Sequence, residues 1–320
     1  MSASKPPVLV HHPQDTLEYA RLASAALPGV DLVPCLSGAE MEALMPEVEI
    51  IFGWRIPGAC FRLARRLQWL QGMGAGVEDL LANKDLPARV KITRVTGIFG
   101  PWIAEYTLAH ALAWTQDIRR SLGSQAVRKW DKYLVRKLRG LRLGVAGLGS
   151  VGQEVARLAA AAGLRVTGFD LEPRRLPGGG AAYCGDRGSP SLLRFLSELD
   201  ILSVNLPLTR DTDGMFGAAE LAALPAGALV VNTARGRIID QHALIEALRS
   251  GHLGGAALDV FETEPLPEDS PLWSFPQVAV TAHISGPSTP AEVVPIFLDN
   301  YRRYHAGEPL AGLVDRVRGF

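Results

Sequence analysis

The segment from residue 143 to residue 170 constrains the fold more strongly than any other part of the sequence. An apolar run is followed by Gly147, Gly149 and Gly152, then by apolar residues at helical spacing and a second apolar run. This order predicts a strand, a turn, a helix and a strand. The first glycine of such a turn allows a tight bend, the second lets a pyrophosphate approach the backbone, and the third lets the helix pack on the strand. The segment therefore predicts a βαβ unit that binds a dinucleotide.

An acidic residue, Asp170, ends the second strand of this unit. It follows the last glycine by about 20 residues, where a carboxylate can accept a hydrogen bond from a ribose 2′-hydroxyl. A 2′-phosphate would meet a like charge at this position, which favours NAD over NADP. Arg174 and Arg175 follow closely and could bind that phosphate if their loop folds inward. NADP therefore stays open as an alternative cofactor.

Short apolar runs alternate with helical patterns along most of the chain. The strand candidates of a first series are residues 8–10, 30–35, 48–54, 67–71 and 90–96. Those of a second series are residues 143–146, 164–169, 201–206, 228–232, 256–260 and 278–282. Such alternation predicts an α/β protein with two doubly wound parallel-sheet, Rossmann-like domains and a cleft between them.

The breaks between the two series set the expected domain limits. Residues 1–98 and 287–320 form a discontinuous substrate-binding, catalytic domain in this interpretation, and residues 99–286 form the dinucleotide-binding domain. A single long helix is predicted over residues 102–122 and a last helix over residues 291–305. Asp240 is expected to cap the helix that ends before Gly251. The basic stretch 123–140 is predicted to be a solvated loop rather than a binding patch.

The composition argues against several classes of function. The 320 residues include 33 Lys plus Arg and 33 Asp plus Glu, so the chain lacks the broad basic field that favours nucleic acid or an anionic membrane. Cys35, Cys60 and Cys184 show no metal-ligand spacing, which is typical of a reduced intracellular protein, and no metal site is expected. The first apolar run is too short for a signal peptide and none is long enough to span a membrane. We therefore expect a cytoplasmic protein.

Three polar residues follow predicted strands of the second series, at the sheet edge where ligands of such folds bind. They are Arg235, Glu264 and His283. An arginine fork can hold a carboxylate through two hydrogen bonds, and a histidine can give a proton to a carbonyl oxygen as a hydride reaches its carbon. A glutamate beside the histidine would favour the protonated ring and orient it. This set is what a hydride-transfer enzyme for 2-oxo acids needs.

Four ordered motifs give the chain a family resemblance. They are VAGLGSVG at 145–152, NTARG at 232–236, LDVFETEPL at 258–266 and TAHI at 281–284. Their order and spacing resemble those of the D-isomer-specific 2-hydroxyacid dehydrogenases, and most closely the bacterial glyoxylate/hydroxypyruvate reductase branch of that family. The resemblance covers about residues 45–320. It implies NAD(P)H-dependent reduction of a small 2-oxo acid to the D-2-hydroxy acid.

The resemblance also implies roles for individual residues. Arg235 would bind the substrate, His283 would be the general acid and base, and Glu264 would be its partner. Asp259 would contact the nicotinamide amide, and Pro207 and Thr212 would border the cofactor. The full cofactor-binding set expected is Gly147, Gly149, Ser150, Val151, Gly152, Asp170, Pro207, Thr212, Thr233, Ala234 and Asp259.

A glycine-rich segment at residues 72–77 resembles the substrate loop of the family. The resemblance implies that the N–H groups of Ala75, Gly76 and Val77 receive the substrate carboxylate, as consecutive amides can. Trp54 and Arg55 match a position that often borders the substrate. Two residues depart from the family pattern: Glu78 replaces its usual aspartate, and Ala282 replaces the proline before the histidine.

Two further expectations concern partners. The family pairs its subunits through segments that correspond to the long helix and the loop around Trp130, so a homodimer is expected. The alternative to an enzyme is a dinucleotide-sensing regulatory protein on the same fold, since a fold alone does not fix function. The intact set of Arg235, Glu264 and His283 favours turnover.

Overall fold

The computed structural model describes residues 6–177 and 179–320. The strands are β1 (Val8–His11), β2 (Leu32–Pro34), β3 (Ile50–Gly53), β4 (Trp69–Gly72), β5 (Lys91–Thr93), β6 (Arg142–Ala146), β7 (Arg165–Asp170), β8 (Ala182–Cys184), β9 (Ile201–Val204), β10 (Ala228–Asn232), β11 (Leu253–Leu258) and β12 (Val278–Val280). The α-helices are α1 (Thr16–Ala26), α2 (Gly38–Leu44), α3 (Glu78–Ala82), α4 (Phe99–Thr115), α5 (Ile118–Ala126), α6 (Ser150–Ala161), α7 (Pro190–Ser197), α8 (Ala218–Ala223), α9 (Gln241–Arg249) and α10 (Pro290–Ala306).

The chain divides into two compact units. The first comprises residues 1–98 and 288–320, and the second comprises residues 99–287. Each has a parallel sheet of its own with helices packed on it. The expected fold class, two doubly wound parallel-sheet domains, is confirmed. None of the described helices is long and apolar enough to cross a membrane.

The sheet of the first unit has five strands in the order β2-β1-β3-β4-β5. The strand order reverses between β1 and β3, and ligands of open parallel sheets bind beyond the carboxyl ends of strands at such a reversal. α10 packs beside α1 in this unit and buries Phe297. The Phe297 ring stacks on Phe52 of β3 with 4.2 Å between ring centroids.

A buried polar network ties α10 to the strands of the first unit. Asn300 donates to Oε1 of Gln71 and to the carbonyl of Ala311, both at 2.9 Å, and accepts from the Ala311 N–H at 2.8 Å. Thr93 donates to the same Gln71 oxygen at 2.7 Å and accepts from the Trp69 indole at 2.8 Å. Gln71, Thr93 and Asn300 are fully buried, so each of these bonds satisfies a group that water cannot reach.

The sheet of the second unit has seven strands in the order β12-β11-β10-β9-β6-β7-β8. All its pairs are parallel, and the strand order reverses between β6 and β9. The glycine turn leaves β6 at this reversal, which is where a doubly wound sheet binds a dinucleotide. The topology therefore places the predicted loop at the ligand-binding edge.

The local predictions hold for some elements and are wrong for others. Asp240 caps α9 by accepting from the Ala243 N–H at 3.0 Å, and Gly251 follows the helix with φ +75°, as expected. The single helix predicted over residues 102–122 is wrong. α4 ends at Thr115 and α5 starts at Ile118, because Asp117 adopts a left-handed conformation with φ +47°.

The boundary of the predicted basic loop also changes, and one strand was missed. α5 continues to Ala126, so the stretch without regular structure begins after it. β8 is three residues long and sits at the sheet edge with one neighbour, β7. So short a strand leaves too few residues for an alternating apolar pattern.

Candidate active site

The glycine turn after β6 has the backbone geometry of a phosphate-binding loop. Gly147 has φ +92°, and a Cβ on it would lie 2.7 Å from the carbonyl oxygen of Asn205. A Cβ on Gly152 would collide with the Gly147 carbonyl, so the third glycine lets the start of α6 approach the turn. Gly149 lies at the amino end of α6, and among the described residues nothing outside its immediate chain neighbourhood lies within 4 Å of where its Cβ would be. This open space in front of helix N–H groups fits a pyrophosphate.

Asp170 is joined to the glycine turn and to a nearby arginine. Its Oδ2 accepts from the Leu148 N–H at 2.7 Å, which fixes the carboxylate beside the loop. The same oxygen lies 3.5 Å from Nε of Arg174, and that arginine also reaches Glu172 at 3.9 Å. The loop after β7 therefore places the positive charge of Arg174 next to Asp170, and a contact of Arg174 or Arg175 with a 2′-phosphate stays a prediction.

Two other strand ends of the second unit contribute to this edge. Thr212 donates to the carbonyl of Pro207 at 2.6 Å, so the two residues expected beside the cofactor lie together after β9. Thr233 and Ala234 follow β10 directly. Among the described residues, the buried hydroxyl of Thr233 and the side-chain oxygen of Asn205 have no hydrogen-bond partner. Unpartnered polar atoms at a sheet edge are suited to a polar ligand such as a dinucleotide.

His283 and Glu264 form a hydrogen-bonded pair. Nδ1 of His283 lies 2.8 Å from Oε2 of Glu264, and the other carboxylate oxygen accepts from the Phe261 N–H at 3.0 Å. Because an ionised carboxylate can only accept, Nδ1 carries the hydrogen. Nε2 lies on the opposite edge of the ring, and the His283 side chain is 51% exposed. This leaves Nε2 able to exchange a proton with a substrate.

Arg235 is connected to the same pair through the backbone. It follows β10, and its NH1 donates to the Ala234 carbonyl at 2.6 Å. A Cβ on Gly236 would collide with the backbone of Phe261, the residue whose N–H binds Glu264. The absence of a side chain at Gly236 thus lets the turn after Arg235 pack against the segment that holds the histidine partner. The second unit therefore brings all three predicted catalytic residues into one region.

The buried residue Asp259 contacts the backbone of His283. Asp259 follows β11 and is fully buried. It accepts from Thr281 Oγ1 at 2.6 Å, from the Ile284 N–H at 2.9 Å and from the Ser285 N–H at 2.8 Å. The His283 N–H donates to the Asp259 carbonyl at 2.9 Å. Both carboxylate oxygens of Asp259 therefore accept hydrogen bonds from the protein itself. The contact with the nicotinamide amide that was expected for Asp259 stays a prediction.

No role was assigned from the sequence to two residues of this cluster, although one of them, Thr281, lies in the TAHI motif. Thr281 contacts Asp259, and Tyr106 of α4 shares a 2.8 Å hydrogen bond with Thr281. Burial raises the pKa of the Tyr106 phenol to about 12. The ring of His110 lies 4.3 Å from that of Tyr106, centroid to centroid, and burial lowers its pKa although the charge of Asp259 opposes the shift. The sequence around Tyr106 is mainly apolar, so it gives no sign that the Tyr106 hydroxyl takes part in a hydrogen-bond network.

The expected substrate loop lies in the first unit, between β4 and α3. The Gly74 carbonyl accepts from the Val95 N–H at 2.9 Å, which anchors the loop to the chain after β5. Among the described residues, the N–H groups of Ala75, Gly76 and Val77 have no hydrogen-bond acceptor. Consecutive amides without acceptors suit an anion such as a carboxylate.

Trp54 and Arg55 follow β3, and Trp54 lies beside this loop. A Cβ on Gly74 would lie 2.6 Å from the indole of Trp54, so the glycine makes room for the ring. Arg55 is exposed and has φ +55°, an uncommon conformation for a residue with a side chain. The neighbouring strands β3 and β4 thus bring Trp54 to the loop. Among the described residues, no cluster of His, Cys, Asp or Glu could hold a metal ion.

Comparison with known proteins fits this geometry. Residues 108–285 match the model of the D-isomer specific 2-hydroxyacid dehydrogenase NAD binding domain. Glyoxylate/hydroxypyruvate reductase A of Salmonella heidelberg (strain SL476) is 35% identical over 265 residues, which cover 80% of this chain and 83% of that protein.

Two solved structures resemble the chain along nearly its whole length. A D-isomer specific 2-hydroxyacid dehydrogenase from Xanthobacter autotrophicus Py2, in complex with NADPH and MES, has a TM-score of 0.88 and 35% identity and covers 99% of this chain and 100% of its own. An NADPH-dependent glyoxylate/hydroxypyruvate reductase from Sinorhizobium meliloti, in complex with NADP and sulfate, has a TM-score of 0.89 and 29% identity, with the same coverage.

The fold, the glycine turn and these matches define an oxidoreductase that uses NAD or NADP. The chain belongs to the D-isomer specific 2-hydroxyacid dehydrogenase family. The resemblance noted in its four motifs is confirmed, and the alternative of a dinucleotide-sensing regulator is not favoured.

Proposed function

We propose that the protein reduces small 2-oxo acids of the glyoxylate and hydroxypyruvate type to D-2-hydroxy acids. The observation that carries this proposal is the His283–Glu264 pair, 2.8 Å apart, which leaves Nε2 of the histidine available for proton transfer. Relatives named as glyoxylate/hydroxypyruvate reductases support the choice of substrate class.

The cofactor, when bound, supplies the hydride that reduces the substrate carbonyl carbon. His283 donates a proton from Nε2 to the carbonyl oxygen in the same step, so the product is a neutral hydroxyl group. Glu264 holds Nδ1–H and balances the positive charge of the ring before the proton leaves. In the reverse direction, neutral His283 accepts the hydroxyl proton at Nε2.

Two groups are assigned to the substrate carboxylate. Arg235 offers a planar pair of N–H donors, and the N–H groups of Ala75, Gly76 and Val77 offer a backbone anion site. A 2-oxo acid has its carboxylate next to the reacting carbonyl, so binding the first orients the second. Trp54 and Arg55 are proposed to border the substrate beside these amides.

We propose that the cofactor site accepts both NADH and NADPH. Asp170 suits a ribose 2′-hydroxyl, whereas Arg174, 3.5 Å from it, suits a 2′-phosphate. The relatives crystallised with NADPH and NADP support the second possibility. Gly147, Gly149, Ser150, Val151 and Gly152 would hold the pyrophosphate. The other expected cofactor residues, Pro207, Thr212, Thr233, Ala234 and Asp259, would line the rest of the site.

The proposal extends to the two units and to partners. The second unit would bind the dinucleotide, and the first would supply the substrate loop. A homodimer is proposed because the segment from α5 onward exposes large apolar side chains, such as Trp130 at 96% and Leu134 at 99%. We propose a cytoplasmic enzyme with no nucleic-acid partner, supported by its free cysteines and its balanced charge.

The test is a rate survey of purified protein with a panel of 2-oxo acids and both reduced cofactors. The panel contains glyoxylate, hydroxypyruvate, pyruvate, 2-oxobutyrate and oxaloacetate. We expect the highest kcat/KM with glyoxylate or hydroxypyruvate. Cofactor binding without turnover of any acid in the panel would overturn the proposal and favour the sensor.

A further inference from the structure

The backbone at His283 has a conformation that other groups must maintain. Its φ of +54° lies in the left-handed region, which residues other than glycine seldom adopt. This conformation turns successive N–H groups to one side and forms a concave anion site. The anion in that site belongs to the chain itself, since Ile284 and Ser285 both donate to the Asp259 carboxylate. The position of the His283 ring therefore depends on where this carboxylate is held.

A directed chain of hydrogen bonds holds it. Thr281 has one hydroxyl hydrogen, which it gives to Asp259 at 2.6 Å, since an ionised carboxylate only accepts. The Tyr106 hydroxyl lies 2.8 Å from Thr281 Oγ1 and must therefore be the donor in that pair. The phenol keeps its hydrogen at all ordinary pH values, because burial raises its pKa to about 12. The direction from α4 to Asp259 is thus fixed.

The residue before His283 does not itself restrict the backbone, so the hydrogen bonds from Thr281 and Tyr106 matter more for the conformation of the turn. Residue 282, directly before the histidine, is alanine. Alanine does not fix φ as proline does, so side-chain hydrogen bonds must limit the turn between Thr281 and His283.

We propose that Thr281 and Tyr106 are positioning residues that fix the proton-transferring ring of His283 through Asp259. This inference rests on the proposed function, in which His283 transfers the proton. Neither residue touches the reacting atoms, so each acts through the geometry of the turn.

The experiment compares Thr281→Val, Thr281→Ser and Tyr106→Phe with the wild type. Valine matches threonine in shape but has no hydroxyl, whereas serine keeps the hydroxyl. We expect Thr281→Val to lower kcat for glyoxylate about tenfold with little change in the KM for glyoxylate, because a misplaced acid slows the chemical step while the groups proposed to bind the substrate stay in place. Thr281→Ser should recover kcat to within about threefold of wild type. Tyr106→Phe should fall between them.

Thr107→Val is the matched control. Thr107 follows Tyr106 on α4 and is buried, but among the described residues its hydroxyl has no hydrogen-bond partner. Losing that hydroxyl should leave kcat unchanged. If Thr281→Val keeps wild-type kcat, or if valine and serine lower it equally, the inference is overturned.

A spectroscopic readout separates this inference from the proposed function. Nitrogen-15 spectra of labelled histidines, with His283 assigned from a His283→Asn variant, report the ring without any substrate. Thr281→Val and Tyr106→Phe should move the His283 signals, while Thr281→Ser and Thr107→Val should not. If the wild type is inactive on every 2-oxo acid, the proposed function is wrong. Changes in the His283 signals of Thr281→Val and Tyr106→Phe would still support the positioning role of Thr281 and Tyr106. Unmoved signals in Thr281→Val would overturn the positioning role whatever the activity.

Discussion

Nδ1 of His283 lies 2.8 Å from a carboxylate oxygen of Glu264, and the other oxygen of that carboxylate binds the Phe261 N–H. The glutamate therefore orients the histidine and places a carboxylate beside its ring. Glutamine has nearly the same shape, so Glu264→Gln removes the charge while retaining an oxygen that can accept from Nδ1–H.

We expect Glu264→Gln to lower kcat/KM for reduction about tenfold to a hundredfold at neutral pH. Glutamine keeps an oxygen for Nδ1–H but has no negative charge, so it balances the positive charge of a proton-carrying ring less well and proton transfer from Nε2 should slow. The measurement is kcat/KM for glyoxylate with the wild type and the variant. Equal values for the two proteins would show that Glu264 does not support His283 through its charge.

The cofactor preference should depend on Asp170 and Arg174 in opposite ways. Arg174→Ala should lower kcat/KM with NADPH by about tenfold and change the value for NADH little, because a charged hydrogen bond to the 2′-phosphate is lost. Asp170→Ala should lower efficiency with NADH and raise it with NADPH. Arg157→Ala is the control, because Arg157 is exposed and pairs with Glu154 on α6. Equal losses with both cofactors in Arg174→Ala would remove the proposed phosphate contact.

Substrate binding should depend on the shape of Arg235 as well as its charge. Arg235→Lys keeps the charge but loses the planar pair of donors, so kcat/KM for glyoxylate should fall about tenfold to a hundredfold. The Kd for NADH, measured by fluorescence quenching, should stay within about twofold. Arg237→Lys serves as the control, because Arg237 is exposed and pairs with Asp213. Wild-type kinetics in Arg235→Lys would mean that Arg235 does not bind the substrate carboxylate through a planar pair of hydrogen bonds.

The exposed apolar segment after α5 should hold two copies together. We expect light scattering of the wild type to give the mass of a dimer. The double variant Trp130→Ser, Leu134→Ser should shift it towards the monomer, because it removes large apolar area from the interface. Val317→Ser is the control, since Val317 is 97% exposed but lies in the first unit. A monomeric wild type at working concentration would contradict the proposed homodimer.

Asn300 should matter for stability rather than for chemistry. Asn300→Ala leaves the N–H and carbonyl of Ala311 without their partner and should lower the free energy of unfolding by about 2 to 4 kcal/mol. The control is Asp299→Ala on the same helix, whose half-exposed ion pair with Arg303 should contribute less than about 1 kcal/mol. Denaturant titration followed by circular dichroism measures both. Equal effects of the two variants would mean that the buried network adds little.

Sequence patterns predicted where a candidate site residue lies in the fold when that residue belongs to a strand, a turn or the segment just after a strand. The glycine turn and Asp170 belong to one βαβ unit, and the strand-end positions of Arg235, Glu264 and His283 follow from alternation alone. Parallel sheets bring such strand ends to one edge, so their grouping in the second unit could be anticipated.

The remaining contacts join residues that are far apart in the chain. Tyr106 and Thr281 are 175 positions apart, and neither has a local pattern that points to the other. The break between α4 and α5 could not be predicted from apolar spacing, because that spacing continues through Asp117 while the backbone turns left-handed there. Positive φ at a residue with a side chain depends on the surrounding contacts, which a linear pattern does not contain.

The first unit is encoded in two pieces, and this affects the order in which a nascent chain can fold. Its five strands leave the ribosome before the second unit, but α10 follows it. Until then the Phe52 ring lacks Phe297, and the backbone of β5 lacks the Val314 N–H that donates to Ile92. The second unit has all its strands earlier and can complete its sheet first. The first unit, with the proposed substrate loop, therefore gains its last helix only after the second unit has been synthesised.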